Sequence, residues 1–250
     1  MQLRSKITGI IKAGFNLAGI DIIRRRNSPR HTLLGLQSRS IRTVIDVGAN
    51  TGQFARYISG FFPKADLYCF EPLPEPFAAL KAWANTQNGR VIPSNLAIGD
   101  MEGETEMFLH EEHCPSSSLL STTSLAEQYY PFIKEQKRIK IKQASLDVTI
   151  GDIKAGLTPE ILIKLDVQGY ENRVIAGGGN IFAQATACIL EVNIDTLYKG
   201  QAGFLELHTM LNALGYRYVG NLEQSYGKDG HCIFIDAVFL KQTESKGETS

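Results

Sequence analysis

The sequence predicts an α/β domain with a mostly parallel sheet and helices on both faces of that sheet. From residue 41 onward, short apolar runs alternate with segments of helical periodicity, a pattern typical of repeated βα units. A glycine-containing turn follows the first apolar run, as expected where a strand passes into a helix. The length of 250 residues and the hydrophobic content of 43% suit one such domain with extensions.

Each apolar run predicts one strand, and the segments between the runs predict the helices. Gly215 is a usual C-terminal stop for the last helix, and YRYVG and DAVFLK predict a closing pair of strands. The run AGGGN at 176–180 predicts the end of a helix and a turn. The strands of the main sheet are expected at 43–47, 66–70, 90–93, 161–165 and 187–192, and the helices at 52–60, after Pro76, at 170–176 and at 203–214.

Two more strands are predicted between the third and fourth strands of the main sheet. Residues 104–109 and 138–146 have strand character and flank a polar, serine-rich stretch. The sequence therefore predicts a strand-containing insertion at this point of the chain.

The first 40 residues are predicted to be a helical extension and a linker. Apolar residues between 3 and 26 begin with helical spacing and are followed by Arg24, Arg25 and Arg26, so we expect an amphipathic helix packed against the domain. A basic amphipathic segment also suits weak contact with a membrane surface, and this alternative stays open. Residues 27–30 are expected to be the linker, residues 41–241 the domain, and residues 242–250 a disordered polar tail.

Charge, hydropathy and cysteine content argue against several classes of protein. Lysine and arginine total 26, as do aspartate and glutamate, so the zero net charge gives no electrostatic reason to expect nucleic-acid binding. No apolar run approaches about 18 residues, so we expect no transmembrane helix. The four cysteines lack the close spacing of a zinc site. Together these features predict a cytoplasmic protein whose thiols stay reduced.

Polar side chains follow the predicted strands at the edge of the sheet where ligands bind. In an open α/β sheet this edge is formed by the carboxyl ends of the strands. A carboxylate-rich edge repels a pyrophosphate cofactor and suits a ligand with cationic centres and sugar hydroxyls. S-adenosylmethionine has a sulfonium, an ammonium and a ribose diol. The residues at this edge are Asp46, Glu71, Asn95, Asp166 and Glu191.

Glu71 gives the sharpest expectation about the ligand. It follows strand two, 23 residues after Gly48, where a carboxylate accepts hydrogen bonds from a ribose diol in dinucleotide-binding folds. Pro72 fixes the next turn and removes a competing backbone donor. A helix-capping or surface role for Glu71 is the alternative.

The turn after strand one, Gly-Ala-Asn-Thr-Gly, is expected to hold part of the same ligand. Gly48 and Gly52 let the backbone approach a ligand closely, and Asn50 tolerates a positive φ better than most non-glycine residues. The spacing departs from the Gly-x-Gly-x-x-Gly fingerprint of dinucleotide enzymes. A nicotinamide-dependent dehydrogenase is therefore a less favoured alternative.

Seven segments occur in a fixed order between about residues 41 and 240. They are IDVGANTGQFARYI, FEPLPEPFAAL, NLAIGD, SSSLL, SLDVTI, IKLDVQGYENRVIAGG and ILEVNIDTLYKG. Together they resemble the FkbM-type family of S-adenosylmethionine-dependent methyltransferases, most specifically in Asp-Val-Gln-Gly-Tyr-Glu at 166–171. The resemblance implies a class I methyltransferase, Rossmann-like fold with a mostly parallel seven-stranded sheet. It also implies methyl transfer, usually to a hydroxyl oxygen of a small molecule or glycan, since family acceptors include sugars and secondary metabolites.

The resemblance further implies a role for each residue of the site. Asp166 would face the methyl group. The other implied contacts to S-adenosylmethionine are those of Asp46, Gly48, Asn50, Thr51 and Gly52 with the methionine part, of Glu71 beside Pro72 with the ribose, and of Asn95 and Ala97 with the adenine edge.

Methyl transfer to an alcohol needs aligned reactants, and a general base contributes about 10²–10⁴-fold. Asp166 is the first candidate because it ends strand four. Lys164, two residues earlier, points to the same face and is a candidate base or a buried ion-pair partner. Glu191, His208 and His231 are further candidates. A divalent metal held by Asp166, Glu191 and His208 is an alternative, as is a non-catalytic binding protein on a decayed methyltransferase fold.

Overall fold

The strands form one large and one small sheet, in a computed structural model that describes residues 13–15, 17–151 and 156–242. The strands are β1 (Thr43–Val47), β2 (Asp66–Phe70), β3 (Val91–Ser94), β4 (Ala97–Gly99), β5 (Gly103–Leu109), β6 (Lys137–Ser145), β7 (Ile161–Leu165), β8 (Ala187–Asn193), β9 (Tyr216–Tyr226) and β10 (Cys232–Lys241). The helices are α1 (Pro29–Thr32), α2 (Gln53–Ser59), α3 (Pro74–Ala84), α4 (Ser124–Tyr129), α5 (Leu146–Gly151), α6 (Glu171–Ala176), α7 (Gly179–Gln184) and α8 (Phe204–Ala213).

The large sheet has seven strands in the order β3-β2-β1-β7-β8-β10-β9. The first five strands in this order pair in parallel, and β10 runs antiparallel to both β8 and β9. The predicted seven-stranded, mostly parallel sheet is confirmed. The reversal of direction at β10 follows from the hairpin that joins it to β9.

The small sheet has three strands in the order β4-β6-β5 and is formed by the chain between β3 and β7. Strand β6 is parallel to β4 and antiparallel to β5. The chain between β5 and β6, residues 110–136, is called the roof segment below, and it contains α4. Ala126 and Ile133 of this segment pack against Leu197, Tyr198 and Ile233, which fixes the segment over one end of the large sheet.

Two apolar layers cover the faces of the large sheet. Ile45 and Val47 pack into one layer, whereas Val44 packs into the other. All five residues of β1 are buried, as expected for a central parallel strand that has helices on both sides. This burial explains why the strand appears in the sequence as a continuous apolar run.

The glycine run at 176–180 differs from its predicted role. The helix α6 ends there, as predicted, but a second helix, α7, begins at Gly179. The carboxylate of Asp147 accepts hydrogen bonds from the backbone N–H groups of Asn180 and Ile181, both at 3.0 Å. Because the group that caps this helix comes from more than 30 residues away, local sequence gives no sign of it.

The N-terminal region also differs from the prediction. The helix α1 occupies part of the predicted linker, and Leu33 and Leu36 are fully buried in the layer around Val44. We therefore propose that the packed domain begins near residue 33. Within 13–26 the described side chains are exposed apart from the half-buried Ile22, so the expected packing of this segment is wrong for those residues. The predictions for 1–12 and 243–250 lie outside the described residues.

No helix among the described residues has both the length and the apolar character needed to cross a membrane.

Candidate active site

A cavity of about 600 Å³ lies beyond the carboxyl ends of β1, β2, β7 and β8. Its volume falls within the roughly 300–1,000 Å³ typical of small-molecule sites. Side chains of the roof segment, including Leu119, Tyr130 and Phe132, form part of its wall. Most of the predicted site residues line it, namely Asp46, Gly48, Asn50, Glu71, Pro72, Ala97, Lys164, Asp166 and Glu191. The predicted residues outside its lining are Thr51, Gly52, Asn95 and His208.

The loop after β1 has the backbone conformation that the sequence predicts. Asn50 has φ 48°, and Gly48 and Gly52 have φ 81° and 88°. Asn50 therefore adopts the left-handed conformation, which asparagine tolerates better than most non-glycine residues. Gly52 faces the interior, where an added Cβ would lie 3.0 Å from Leu80 and 3.2 Å from Trp83, so packing of α3 accounts for this glycine.

Glu71 is buried and joins the first two loops of the site. Its Oε2 accepts a hydrogen bond from the N–H of Asn50, and its Oε1 accepts one from the N–H of Leu73, both at 2.8 Å. Burial raises the pKa of Glu71 to about 7, while the two backbone donors oppose the shift. The carboxylate thus fixes the loops and still lines the cavity.

Asn95 has a different place from the predicted contact with adenine. Its side-chain amide donates to the main-chain oxygens of Glu71 and Pro72, both at 2.9 Å. The amide therefore stabilises the turn after β2. Ala97, with its neighbours Leu96 and Ile98, supplies the apolar lining on that side of the cavity.

Lys164 lies among four carboxylates on the floor of the cavity. Its Nζ is 3.5 Å from Asp166 Oδ2 and 3.3 Å from Asp236 Oδ1. Asp46 is its partner in the β1–β7 register, and Glu191 is the partner of Asp236 in the β8–β10 register. Four strands thus contribute to one charged cluster, and Lys164 is the buried ion-pair partner that its position suggests.

Burial changes the protonation of this cluster. It raises the pKa of Asp46 to about 7, although Lys164 opposes the shift. It also raises the pKa of Glu191 well above the usual range, with Asp166 adding to the effect. Burial lowers the pKa of Lys164, but the surrounding carboxylates outweigh it and the net pKa is raised. Near neutral pH, Lys164 is therefore charged while part of the carboxylate set holds protons.

Gln168 connects the two carboxylates at the ends of β7 and β8. Its Nε2 donates to Asp166 Oδ1 at 2.8 Å and to Glu191 Oε1 at 2.6 Å. Its Oε1 accepts from the hydroxyl of Tyr198 at 2.6 Å, and its main-chain oxygen accepts from Ser118 Oγ at 2.8 Å. With both ends of the amide engaged and a φ of 56°, Gln168 fixes the spacing of these carboxylates.

The two candidate histidines lie outside the cavity lining. His208 packs beside the rings of Phe204 and Phe239, so it is badly placed to act as a base or to join Asp166 and Glu191 around a metal. His231 is hydrogen-bonded to Asp195 at 2.8 Å. Within the described parts of the chain, no three His, Cys, Asp or Glu side chains are grouped as a metal site.

The polar residues of the cavity that were not predicted from the sequence include Asp236, Asn193 and Gln168. Asp236 lies inside the antiparallel strand β10, so no search of strand ends finds it. Asn193 ends β8 two residues after Glu191 and therefore shares its face. This alternation could have been used to predict Asn193 as a residue of the site. Its buried Oδ1 has no hydrogen-bond partner among the described residues. Gln168 lies inside the most family-specific segment, 166–171, and this position could have been used to predict it as a residue of the site.

The model of the FkbM methyltransferase domain matches residues 46–218 of this chain. The chain belongs to the FkbM methyltransferase family. The match begins at Asp46 and includes Glu71, Lys164, Asp166 and Glu191. Asp236 is the member of the charged cluster that lies beyond it.

Two curated relatives are named for methylation of oxygen. The 2-O-methyltransferase NoeI of Sinorhizobium fredii is 30% identical over 190 residues, which cover 73% of this chain and 74% of the relative. The 31-O-demethyl-FK506 methyltransferase FkbM of Streptomyces tacrolimicus is 30% identical over 162 residues, 57% of this chain and 62% of that protein.

A solved structure supports the fold assignment. The methyltransferase FkbM of Methylobacillus flagellatus KT superposes with a TM-score of 0.50 and 12% identity, covering 80% of this chain. This chain spans only 44% of the length of that one. With the sheet order described above, the similarity identifies a class I methyltransferase fold.

Proposed function

We propose that this FkbM-family protein transfers a methyl group from S-adenosylmethionine to a hydroxyl oxygen of a small-molecule or glycan acceptor. Family membership supports methyl transfer, and the names of the two relatives support oxygen as the methylated atom. The observation that carries the proposal is the floor of the cavity, where carboxylates outnumber the lysine they surround. A buried site of this kind favours a cationic ligand.

The described residues fit S-adenosylmethionine as the methyl donor. The Oδ2 of Asp46 is buried and has no hydrogen-bond partner among them, which costs free energy unless a ligand supplies a donor or a positive charge. Each oxygen of Glu71 accepts one backbone hydrogen bond and keeps a second lone pair for a ribose hydroxyl. When bound, S-adenosylmethionine supplies a methyl group that its sulfonium makes electrophilic.

We assign Asp166 as the proton acceptor. Its side chain is 34% exposed and lines the cavity, whereas Lys164 and Gln168 hold its orientation. Glu191 is a poorer resting acceptor, because burial raises its pKa well above the usual range and so favours its protonated form. Asp166 takes up the proton that the hydroxyl loses as the oxygen becomes methylated.

The acceptor is expected to have both hydroxyl groups and an apolar surface. On the side formed by β8, β10 and the roof segment, the cavity is lined by Asn193, whose amide oxygen has no partner among the described residues, and by the rings of Tyr130, Phe132 and Phe234. The amide suits a hydroxyl donor, and the rings suit an apolar face of a ring or chain.

Two measurements test the proposal. Calorimetric titration should show binding of S-adenosylmethionine and no binding of a nicotinamide dinucleotide. Incubation with methyl-labelled S-adenosylmethionine and pooled glycan or metabolite extracts should then give a labelled product whose label is lost with Asp166→Asn. Binding without any label transfer would favour the non-catalytic alternative, and label on nitrogen or carbon would contradict the assignment to oxygen.

A further inference from the structure

The zero net charge of this chain is the sum of a basic N-terminal part, residues 1–30, and an acidic remainder, residues 31–250. Residues 1–30 contain seven of the 26 lysine and arginine residues and one of the 26 acidic residues, Asp21. Positions 31–250 therefore hold 19 basic and 25 acidic residues. The basic part has its highest density at Arg24, Arg25 and Arg26, and all three are exposed.

Large apolar side chains are exposed directly before these arginines. The exposed fractions are 44% for Phe15, 92% for Leu17, 50% for Ile20 and 55% for Ile23. Scattered exposed apolar residues are ordinary on a protein surface. Four within nine positions, followed by three arginines, form instead a local surface that is both apolar and basic.

We propose that residues 13–26 form a docking segment for the surface of an anionic lipid bilayer. An interfacial segment buries apolar side chains at the boundary between headgroups and acyl chains, while arginines contact lipid phosphates. Nucleic acid would use the arginines but would leave Leu17, Ile20 and Ile23 in water, because phosphate contacts need no aliphatic partner. A second copy of the segment would repel the first, since both carry the same charge.

The docking segment leads directly to the rim of the active-site cavity. Arg30 lines the cavity, and its guanidinium forms a 2.7 Å ion pair with Glu223. The hydroxyl of Tyr57 donates to the main-chain oxygen of Arg30. Arg30 follows Arg26 by four positions, which is roughly 14 Å of extended chain at most. A docked bilayer surface therefore lies close to the opening through which an acceptor enters.

Vesicle flotation of the full chain tests the proposal. We expect recovery with phosphatidylcholine vesicles that contain about 30% phosphatidylserine, and none with phosphatidylcholine alone, because the charge term is lost. The triple variant R24Q/R25Q/R26Q should reduce partitioning by roughly 100-fold, since each arginine near an anionic surface contributes about a fivefold factor. The variant L17S/I20S/I23S should also reduce it, although the charge is unchanged.

A matched control separates docking from general charge. The variant K134Q/K140Q/K142Q removes three exposed positive charges from the small sheet and roof segment and should partition as the unaltered chain does. All variants should keep the melting temperature and the affinity for S-adenosylmethionine, because the changed residues are exposed and lie outside the cavity lining. Equal loss in the control variant would overturn the proposal. So would binding that survives L17S/I20S/I23S, or recovery of the unaltered chain from neutral vesicles.

Discussion

The main-chain oxygen of Asp166 lies so close to Gly48 that a Cβ at position 48 would be 1.9 Å from it. The N–H of Asp166 donates to the oxygen of Val47 at 3.0 Å, so the β1–β7 pairing continues to the ends of both strands. This pairing holds the first loop against the residue that we assign as the proton acceptor. Gly48 is thus required by contact between two loops, in addition to any approach of a ligand.

Gly48→Ala is expected to destabilise the protein by about 3 kcal/mol, because it combines a positive φ with a clash against backbone. Urea denaturation gives the free energy of unfolding. Gly179→Ala is the control, since a Cβ added at position 179 would meet no atom within 4 Å outside its chain neighbours and its own helix backbone, and the φ there is not positive; its effect should stay below about 0.5 kcal/mol. Equal stability of the two variants would show that the loop moves freely away from Asp166.

Glu71→Gln is expected to weaken binding of S-adenosylmethionine by about 1.5–3 kcal/mol, because a charge-assisted hydrogen bond to the ribose is lost. The glutamine still offers an oxygen to one backbone donor, so the loop should remain folded. Calorimetry measures the affinity, and the exposed Glu75→Gln on α3 should leave it unchanged. An unaltered affinity in Glu71→Gln would remove the ribose assignment.

Asp166→Asn should lower kcat by about 10²–10⁴-fold and leave the affinity for S-adenosylmethionine within a few-fold. The amide keeps the size of the side chain but does not accept the proton. Steady-state kinetics with an identified acceptor distinguish two roles: a raised KM with little change in kcat indicates that Asp166 orients the acceptor. Near-normal kcat and KM would move the base assignment to Glu191.

Gln168→Leu is expected to move the acidic limb of the pH–rate profile to higher pH. The amide N–H group that faces Glu191 stabilises the ionised form of this carboxylate beside the assigned base, so its removal favours the protonated form of Glu191. The loss of spacing between the carboxylates should also lower kcat, by about tenfold. A general loss of stability without a shift of the pH profile would show that Gln168 has only a structural role.

Affinity for S-adenosylmethionine should rise with pH through about 7. In the free protein the pKa of Asp46 is about 7, and a cationic ligand favours its ionised form. Below that pH, binding must first remove the proton, so the affinity at pH 6 should be up to about tenfold weaker than at pH 8. Calorimetry in buffers of different ionisation enthalpy should detect released protons, and Asp46→Asn should reduce the release. A pH-independent affinity would contradict this coupling.

The sequence was sufficient for features that depend on local patterning. The strand Thr43–Val47 could be predicted because a buried strand appears in the sequence as a continuous apolar run. The grouping of the acidic residues could be predicted because a parallel sheet places the carboxyl ends of its strands on one edge. The left-handed conformation of Asn50 followed from its intrinsic tolerance of positive φ.

Features that depend on contacts between distant parts of the chain could not be predicted from local sequence patterns. Asp236 joins Lys164 only because β10 inserts between β8 and β9 in reverse direction. Helix α7 begins where the carboxylate of Asp147 caps it. His208 had a suitable residue type, but the direction of its side chain depends on how α8 packs, which periodicity alone does not determine.

The ion pair between Lys164 and Asp236 spans 72 positions of the chain. During synthesis, β1, β7 and β8 emerge from the ribosome before β10, so Lys164 is exposed to solvent or to incomplete partners until the last strand docks. The floor of the cavity is therefore complete only after β10 has been made and has paired with β8. A nascent or shortened chain that lacks β10 lacks Asp236 and leaves Lys164 with one fewer carboxylate partner.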